Sequence, residues 1–281
     1  IADATSIEMT GGRAERLRKL LRLGAERLFM RPRADVVVVL WPALGFLDVL
    51  TWLIASRRAP VCVVIHDPVP LRPQVGLSSR ARGVARFLLR RSRVTFLFHT
   101  NIAAHEFSDR PEDVRLVPHP ARPAPHQASD GTLRILGQFK PARDLEAIRA
   151  LTAAPGARQI MGRGWPKIDG WERTDEFLSE QALTEALASA RSIAIPYSAF
   201  FQSGIAARAF ELGVPVVSLP HEHIADMYGD DWVGFVTDGD WQTAESRAAQ
   251  ISRESVTLRA RRYSESAAEA WGSIFAGSQW R

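Results

Sequence analysis

The sequence predicts an α/β fold in which two doubly wound parallel-sheet domains face each other across a cleft. Short runs of Val, Ile, Leu and Phe recur along the chain without polar alternation, which is typical of strands covered on both faces. Stretches with helical periodicity separate these runs, as the crossover connections of a parallel sheet require. With 281 residues, of which 46% are hydrophobic, the chain is long enough to build two compact cores.

The first half of the chain contains four predicted strands and three predicted helices. Its predicted strands are Asp35–Trp41, Val61–His66, Val94–His99 and Val114–Pro118. Its predicted helices lie near Arg13–Met30, Gly45–Arg57 and Ser79–Arg91, with Gly12 just before the first of them. No confident strand comes before this helix, so either the domain is trimmed or residues that precede it are absent.

A segment rich in Pro and small polar residues, 120–131, then separates the two halves, and its composition is typical of a linker. We therefore predict one domain over residues 1–125 and a second over residues 126–281. The second is expected to contain a long final helix within Thr243–Trp271, whose end packs either in its own domain or back on the first. Its predicted strands are Leu133–Gly137, Arg158–Gly162, Ser192–Tyr197, Val214–Leu219 and Val233–Val236.

Charge is distributed unevenly between the halves. Residues 1–130 hold 20 Lys and Arg against 12 Asp and Glu, whereas residues 131–281 hold 16 against 19. Two basic clusters account for much of this excess. The first comprises Arg13, Arg16, Arg18, Lys19, Arg22, Arg27, Arg31 and Arg33. The second comprises Arg80, Arg82, Arg86, Arg90, Arg91 and Arg93. Basic amphipathic helices suit the surface of an anionic membrane, and a solvated outer face is the alternative. Few aromatic residues lie between the cations, so nucleic acid is not an expected partner.

Several other classes of site and protein are excluded or disfavoured. The single cysteine, Cys62, lies in an apolar run, which indicates a core residue and favours a reducing, cytoplasmic compartment. The chain has no apolar run long enough to span a membrane. Neither a Gly-Xaa-Ser-Xaa-Gly elbow nor a P-loop is present, which argues against the common serine hydrolases and nucleoside triphosphatases. The histidines and carboxylates show no tight metal-binding spacing, so no metal site is expected.

The segment around Gln202, Ser203 and Gly204 indicates an anion site. It lies between a buried strand that ends near Tyr197 and a short helix that begins at Ser-Gly. The positive end of a helix dipole and its free N–H groups favour an anion such as a diphosphate.

Polar and basic residues follow other strands of the second half. Lys140 and Arg143 leave the strand that ends at Gly137, three residues apart, and both could converge on one dianion. Gly162 and Arg163 follow the next strand, where the glycine could let a ligand approach the backbone, although this signal is weak alone.

Three histidines stand at strand ends of the first half. His66 is followed by Asp67, His99 closes the third strand, and His119 follows the fourth. Because ligands of open parallel sheets bind at the carboxyl ends of the strands, these side chains indicate a polar floor at that edge. A structural role for each histidine is the alternative.

Taken in order, several segments of the chain resemble retaining GT-B glycosyltransferases of the family 4 type. The segments are 135–143, 175–183, 195–197, 202–204 and 213–217 for a donor-binding half, and Trp41, His66-Asp67 and 117–120 for an acceptor half. The resemblance implies two Rossmann-like domains, with the acceptor side in residues 1–125 and the nucleotide-sugar donor in residues 126–281. It implies a hexosyl transfer to a glycan or lipid-linked acceptor, retaining and metal-independent, with the nucleotide sugar as co-substrate and no other cofactor.

The resemblance also implies roles for individual residues. Lys140 and Arg143 would hold the donor diphosphate, and His66 would lie on the acceptor side near the anomeric carbon. Further donor-binding positions are Gly137, Gly162, Arg163, Tyr197, Gln202, Ser203 and Gly204. The remaining acceptor-side positions are Gly12, Trp41, Asp67, His99 and His119.

One departure from the family pattern keeps other functions open. The better-known pattern has two glutamates in the segment before Gly213, but the corresponding places fall near Phe200 and Arg208. A subgroup with Gln-Ser-Gly lacks both acids. The alternatives are a non-catalytic glycosyltransferase-like accessory subunit and a sugar-nucleotide epimerase.

Overall fold

A computed structural model describes residues 36–42, 44–69, 76–107 and 114–276, together with Glu15, Arg18, Lys19 and Arg22. The chain divides into two compact units, one from the residues up to Val117 together with those from Trp271 onward, the other Pro118–Ala270. Gly12 and most of the predicted helix Arg13–Met30 lie outside the described residues, although the four described positions within that helix are helical.

The first unit contains a parallel sheet of four strands in the order β1-β2-β3-β4. Its strands match the four predicted ones with shorter ends: β1 Val37–Val39, β2 Val61–Val64, β3 Val94–Phe98 and β4 Val114–Leu116. A 3-10 turn, Gly45–Asp48, runs into α1, Val49–Ser56. Two further helices of this unit are α2 Ser79–Leu89 and α3 Asn101–Phe107.

The core of the first unit is centred on β2. All four residues of this strand are buried, and Cys62 packs with Leu97, Trp271 and Ile274. Burial raises the pKa of the Cys62 thiol to about 12, so the group is neutral and packs as a small apolar side chain. The prediction that Cys62 is a core residue is confirmed.

The second unit contains a parallel sheet of five strands in the order β7-β6-β5-β8-β9. The strands are β5 Leu133–Leu136, β6 Arg158–Met161, β7 Glu172–Thr174, β8 Ser192–Ile195 and β9 Val216–Ser218. Along β5, Leu133 and Ile135 pack in one apolar cluster and Leu136 packs in another. Both faces of the sheet are therefore covered, which explains the continuous apolar runs in the sequence.

Six helices surround this sheet or extend from it. They are α4 Leu145–Ala150, α5 Glu180–Ser189, α6 Gly204–Glu211, α7 Glu222–Tyr228, α8 Trp241–Ala249 and α9 Arg253–Phe275. The predicted single final helix is thus two helices. The break lies at 250–252, where the Ser252 hydroxyl accepts a hydrogen bond from the Ser255 N–H at 3.2 Å and caps α9.

One strand prediction in the second unit is wrong, and one strand was missed. Val233–Val236 makes only an isolated bridge between Ser218 and Phe235, because the Trp232 indole occupies the backbone acceptor of Val216 at 2.9 Å. The edge strand β7 was not predicted, since its residues Glu-Arg-Thr are polar and mostly exposed and so give no apolar signal.

The boundary between the compact units falls earlier than the predicted linker boundary at residue 125. The Ala124 N–H donates to the Glu211 carbonyl at 2.8 Å, and the Ser264 hydroxyl donates to the Ala121 carbonyl at 2.9 Å. These bonds fix the Pro-rich segment on the second unit. The last turn of α9, in contrast, contributes Trp271 and Ile274 to the core of the first unit.

Gly137 and Gly162 bring the ends of β5 and β6 into direct backbone contact. Their φ angles are 95° and 147°, conformations that favour glycine. A Cβ on Gly162 would lie 2.2 Å from the Gly137 carbonyl oxygen. No side chain fits there unless one of the two loops moves.

Gly162→Ala is therefore expected to lower the free energy of unfolding of the second unit by more than about 1 kcal/mol. Gly204→Ala in the same unit is the matched control, because nothing lies within 4 Å of an added Cβ there; its effect should stay within about 0.5 kcal/mol. Urea unfolding of both variants measures the difference. Equal stabilities would contradict the backbone contact.

Candidate functional site

The candidate site lies at the carboxyl edge of the sheet in the second unit. Because β5, β6 and β8 are parallel neighbours, Gly137, Gly162 and Tyr197 all leave the sheet at this edge. This is the edge at which open parallel sheets bind their ligands. We call the loop 137–143, Tyr197 and the turn 202–204 the strand-exit site.

Backbone hydrogen bonds join the loops that follow β5 and β8. The Asp144 N–H donates to the Pro196 carbonyl at 2.8 Å, and the Ser198 N–H donates to the Ala142 carbonyl at 3.1 Å. Arg143 and Tyr197 also form an antiparallel bridge. The structure thus brings together the basic loop and the segment that leads to the helix start, as the sequence predicted.

Arg143 is buried among these loops, with 6% of its surface exposed. Its Nη2 donates to the Leu136 carbonyl at 2.7 Å. The guanidinium carbon lies 4.0 Å from the centroid of the Tyr197 ring and 5.0 Å from that of Trp165. Such contacts with aromatic faces stabilise a cation that has lost its water.

The positive charge of Arg143 has no carboxylate partner within the part of the chain that the structure describes. Its Nε is buried and lacks a hydrogen-bond partner among the same residues. Burial lowers the pKa of Arg143 to about 10, while the interaction with Tyr197 raises it, so the group stays charged near neutral pH. A buried charge without a counterion favours the binding of an anion nearby.

Lys140 and Arg163 are exposed cations on the neighbouring loops. The Lys140 carbonyl accepts the Arg143 N–H at 2.9 Å, which closes a tight turn. The Arg163 carbonyl accepts the Phe139 N–H at 3.0 Å, which joins the loop after β6 to the residue before Lys140. Neither side chain forms an ion pair with any described residue.

The helix start at Gly204 supplies backbone donors. Ser203 is the N-cap of α6, and its hydroxyl accepts the Ala206 N–H at 3.2 Å. Gly204 is exposed, and Gln202 carries a buried Oε1 that has no partner in the described ranges. The first N–H groups of a helix have no intrahelical acceptor, so they remain available to an anion.

Trp165 contacts the strand-exit site but was not predicted. Its Nε1 donates to the Gly137 carbonyl at 2.8 Å, and its ring lies near the Arg143 guanidinium. The only sequence signal was its place directly after Gly162-Arg163-Gly164, and spacing alone gives no reason to connect it with Arg143.

His221, which was also missed, orders the segment between β8 and α6. Its ring stacks on Phe200 with centroids 3.8 Å apart and an interplanar angle of 17°. Its Nε2 donates to the Phe200 carbonyl at 2.7 Å, and its Nδ1 accepts the His223 N–H at 3.1 Å. Acceptance at Nδ1 requires the neutral ring, and burial lowers the pKa of His221, which favours that form.

The positions at which the family pattern has acids, Phe200 and Arg208, are occupied by structural contacts. Phe200 stacks on His221, and Arg208 Nη1 lies 2.6 Å from Glu180 Oε2 in an ion pair between α6 and α5. Arg208 also donates to the Thr184 hydroxyl at 2.6 Å. Neither position supplies an acceptor for a ligand hydroxyl.

The first unit brings three of the predicted acceptor-side residues together. The Trp41 and His66 rings stack with centroids 4.3 Å apart, and the His99 ring lies 5.4 Å from that of His66. His66 Nε2 donates to the Leu40 carbonyl at 3.0 Å, which orients the ring, while Trp41 is 68% exposed. The result is an exposed aromatic platform after β1 and β2.

The other acceptor-side positions are arranged differently. Asp67 is exposed beside His66. His119 belongs to the second unit, where its ring lies 5.7 Å from that of His223 and its Nδ1 donates to the Pro120 carbonyl at 2.9 Å. The first unit therefore does not group His119 with His66 and His99.

Two kinds of feature are absent from the described residues. They contain no group of three or more His, Cys, Asp or Glu side chains placed to hold a metal ion. None of their helices combines the length and apolarity that a membrane span needs.

The fold is similar to that of several solved glycosyltransferase structures. HepE (Alr3699) of Anabaena in complex with UDP-glucose has a TM-score of 0.59 and 14% identity over 90% of this chain and 82% of HepE. A Burkholderia xenovorans α,α-trehalose-phosphate synthase with glucose-6-phosphate has a TM-score of 0.61 and 10% identity over 95% and 80% of the two chains.

TarM of S. aureus has a TM-score of 0.60 and 11% identity over 91% of this chain, which spans 58% of TarM. The sequence matches no family model and no curated protein. These neighbours have the GT-B fold, and the two parallel-sheet units of this chain define the same fold.

Protonation of His221 is expected to weaken the segment that it orders. The pKa of His221 is lower in the folded protein than in the unfolded chain, where it is about 6.5. The contribution of His221 to stability is therefore fully present above pH 6.5 and is lost as the pH falls. His221→Ala should therefore lower the free energy of unfolding more at about pH 7.5 than at about pH 5. Urea unfolding at the two pH values tests this, and a pH-independent loss would refute it.

Proposed function

We propose that the protein is a glycosyltransferase that takes its sugar from a nucleotide-diphosphate sugar, with the donor diphosphate bound at the strand-exit site. A fold alone does not fix a function, so the site residues must carry the proposal. The observation that carries it is the buried, uncompensated charge of Arg143 on the same sheet edge as Lys140 and the start of α6. HepE, with the same fold, was solved in complex with UDP-glucose.

Each of the three positively charged or polarised groups at this sheet edge would contribute to diphosphate binding in a different way. Arg143 is held by Leu136 and two aromatic rings, so it contributes a fixed positive field with little reorganisation. Lys140 is exposed and has a long side chain, which suits direct contact with phosphate oxygens. The Gly204 N–H adds a backbone donor at the positive end of the helix dipole.

The same groups would assist the departure of the nucleotide diphosphate. As the bond to the sugar breaks, negative charge grows on the leaving oxygen, while the sugar becomes oxocarbenium-like. Preorganised donors aimed at such charge are worth about 2.7–4 kcal/mol each in comparable oxyanion sites. We propose that this stabilisation replaces a metal ion and that the transfer retains the anomeric configuration.

The acceptor would be bound by the first unit. The exposed indole of Trp41, supported by the His66 ring at 4.3 Å, offers an apolar face on which a sugar ring can lie. Aromatic side chains with a polar edge suit ligands of mixed polarity. This supports a glycan or lipid-linked saccharide as the acceptor, with His66 as a binding residue rather than a base.

Removal of either cation is expected to abolish nucleotide binding. Wild-type protein with UDP, GDP or ADP at about 100 times the dissociation constant should gain about 2.7 kcal/mol of stability for the nucleotide that binds. Lys140→Ala and Arg143→Met should each lose this gain, because the diphosphate then lacks one of its two counter-charges. The shift of the unfolding temperature measures the effect.

Arg149→Ala is the matched control for these variants. Arg149 is an exposed cation at the end of α4, the helix that connects β5 to β6. Because these strands are parallel, the end of the helix lies towards the opposite edge of the sheet from the strand-exit site. Its removal should leave the nucleotide-induced shift unchanged. Equal losses in all three variants would show that only the net charge matters and would overturn the proposed site.

The backbone donor of α6 can be tested separately from the side chains. Gly204 is the first helical residue, a position that tolerates proline, and the extended conformation of Ser203 suits a following proline. Gly204→Pro should therefore preserve folding but remove one N–H, and the dissociation constant for the nucleotide should rise about tenfold or more.

Gly204→Ala keeps the N–H and should bind as the wild type does. Isothermal titration with the nucleotide found above compares the two variants. If both bind equally well, the helix start takes no part in the site.

A second candidate function, nucleotide-sugar binding without transfer, is favoured by the contacts of Phe200 and Arg208. Both positions serve packing or an ion pair where the family pattern has acids. Incubation with a panel of nucleotide sugars and saccharide acceptors, with EDTA present, separates the two functions. Release of free nucleotide with formation of a retained glycoside supports transfer, and binding without turnover supports the accessory role.

A further inference from the structure

The helix α2 of the first unit exposes a continuous apolar strip. Its inner face is fixed in the core by Ala85 and Leu89, which are 0% and 5% exposed. On the outer face Val84, Phe87 and Leu88 are 58%, 67% and 41% exposed. These three residues have the spacing i, i+3 and i+4 and therefore lie side by side.

Arginines extend this strip at both ends. Arg80 lies one turn before Val84 in the helix, and the exposed Arg91 comes two positions after the last helical residue, Leu89. The Arg90 guanidinium lies 5.5 Å from the centroid of the Phe87 ring. We call Arg80, Val84, Phe87, Leu88 and Arg91 the α2 face.

No described residue neutralises the charge of the α2 face by an ion pair. The helix contains no Asp or Glu, and among the described residues none forms an ion pair with Arg80, Arg90 or Arg91. Two other arginines of the cluster have structural roles: Arg82 donates to the Glu106 carbonyl at 2.9 Å, and Arg86 lies over the Phe107 ring at 5.8 Å. The sequence therefore provides cations on the exposed side beyond those that the fold uses.

We propose that the α2 face docks on an anionic lipid bilayer. An exposed apolar strip flanked by arginines is the arrangement with which interfacial helices insert shallowly between headgroups. Charge complementarity selects the partner, because a lipid surface offers both an apolar layer and negative phosphates. A second copy of the chain is disfavoured, since its arginines would face these ones.

The expected affinity follows from the same features. Each cation near an anionic surface strengthens binding about fivefold, and the effect weakens with salt. Loss of Arg80 and Arg91 together should then weaken vesicle binding about 25-fold. Loss of the apolar insertion at Phe87 should weaken binding even at low salt.

The experiment is co-sedimentation of the full chain with vesicles of phosphatidylcholine alone and with about 30% phosphatidylserine. The wild type should pellet only with the anionic vesicles, and Arg80→Gln/Arg91→Gln and Phe87→Ser should stay in solution. Phe177→Ser is the matched control, because Phe177 is also 67% exposed but lies in the second unit. Arg149→Gln is the control for a lost surface charge.

Several outcomes would overturn the proposal. They are wild-type binding that ignores lipid charge, no binding at all, or equal retention of the α2-face variants and the two controls. A complex with an acidic protein or a dimer that depends on Phe87, without vesicle binding, would assign the face to that partner instead. Circular dichroism verifies the folding of each variant, and the vesicle assay contains no nucleotide, so its result is independent of the proposed donor site.

Discussion

The buried guanidinium of Arg143 is the interaction on which the candidate site in the second unit depends. It bonds to the end of β5 through Leu136 and contacts Tyr197 after β8 and Trp165 after β6. One side chain thus links the exits of three neighbouring strands. The close contact of Gly137 with Gly162 is connected with this arrangement. The Gly137 carbonyl accepts the Trp165 indole N–H, and the same carbonyl would be touched by a Cβ at Gly162.

The burial of Arg143 limits its direct contact with a ligand. A guanidinium that is 6% exposed and already bonded to a carbonyl acts mainly through its field. In a medium of low polarity that field extends further than it would in water, and no described carboxylate cancels it. In the proposed donor site, direct contact with the diphosphate would then be left to the exposed Lys140 and to the N–H groups at the start of α6.

The sequence was most informative where a residue's environment follows from its neighbours in the chain. Mostly apolar runs located eight of the nine described strands, and in the second unit both faces of the sheet are covered. The spacing of Lys140, Arg143 and Gly204 relative to strand ends also placed them on one sheet edge. The sequence could not show that Arg143 is turned inward, because its partners Trp165 and Tyr197 lie 22 and 54 positions away. Likewise the sequence could not show the polar strand β7, because it is a strand only through its pairing with β6.

The positions of the two absent acids explain how the segment between β8 and α6 is ordered. Phe200 stacks on a neutral His221, whose ring also bonds to the Phe200 carbonyl, and Arg208 is paired with Glu180. Both contacts are made within the unit, so the turn 202–204 does not rely on ligand hydroxyl groups for its conformation. An acid at either position would also lower the positive potential that Arg143 creates. In the proposed donor site, the absence of both acids would therefore favour recognition of the diphosphate over recognition of the sugar or ribose hydroxyl groups.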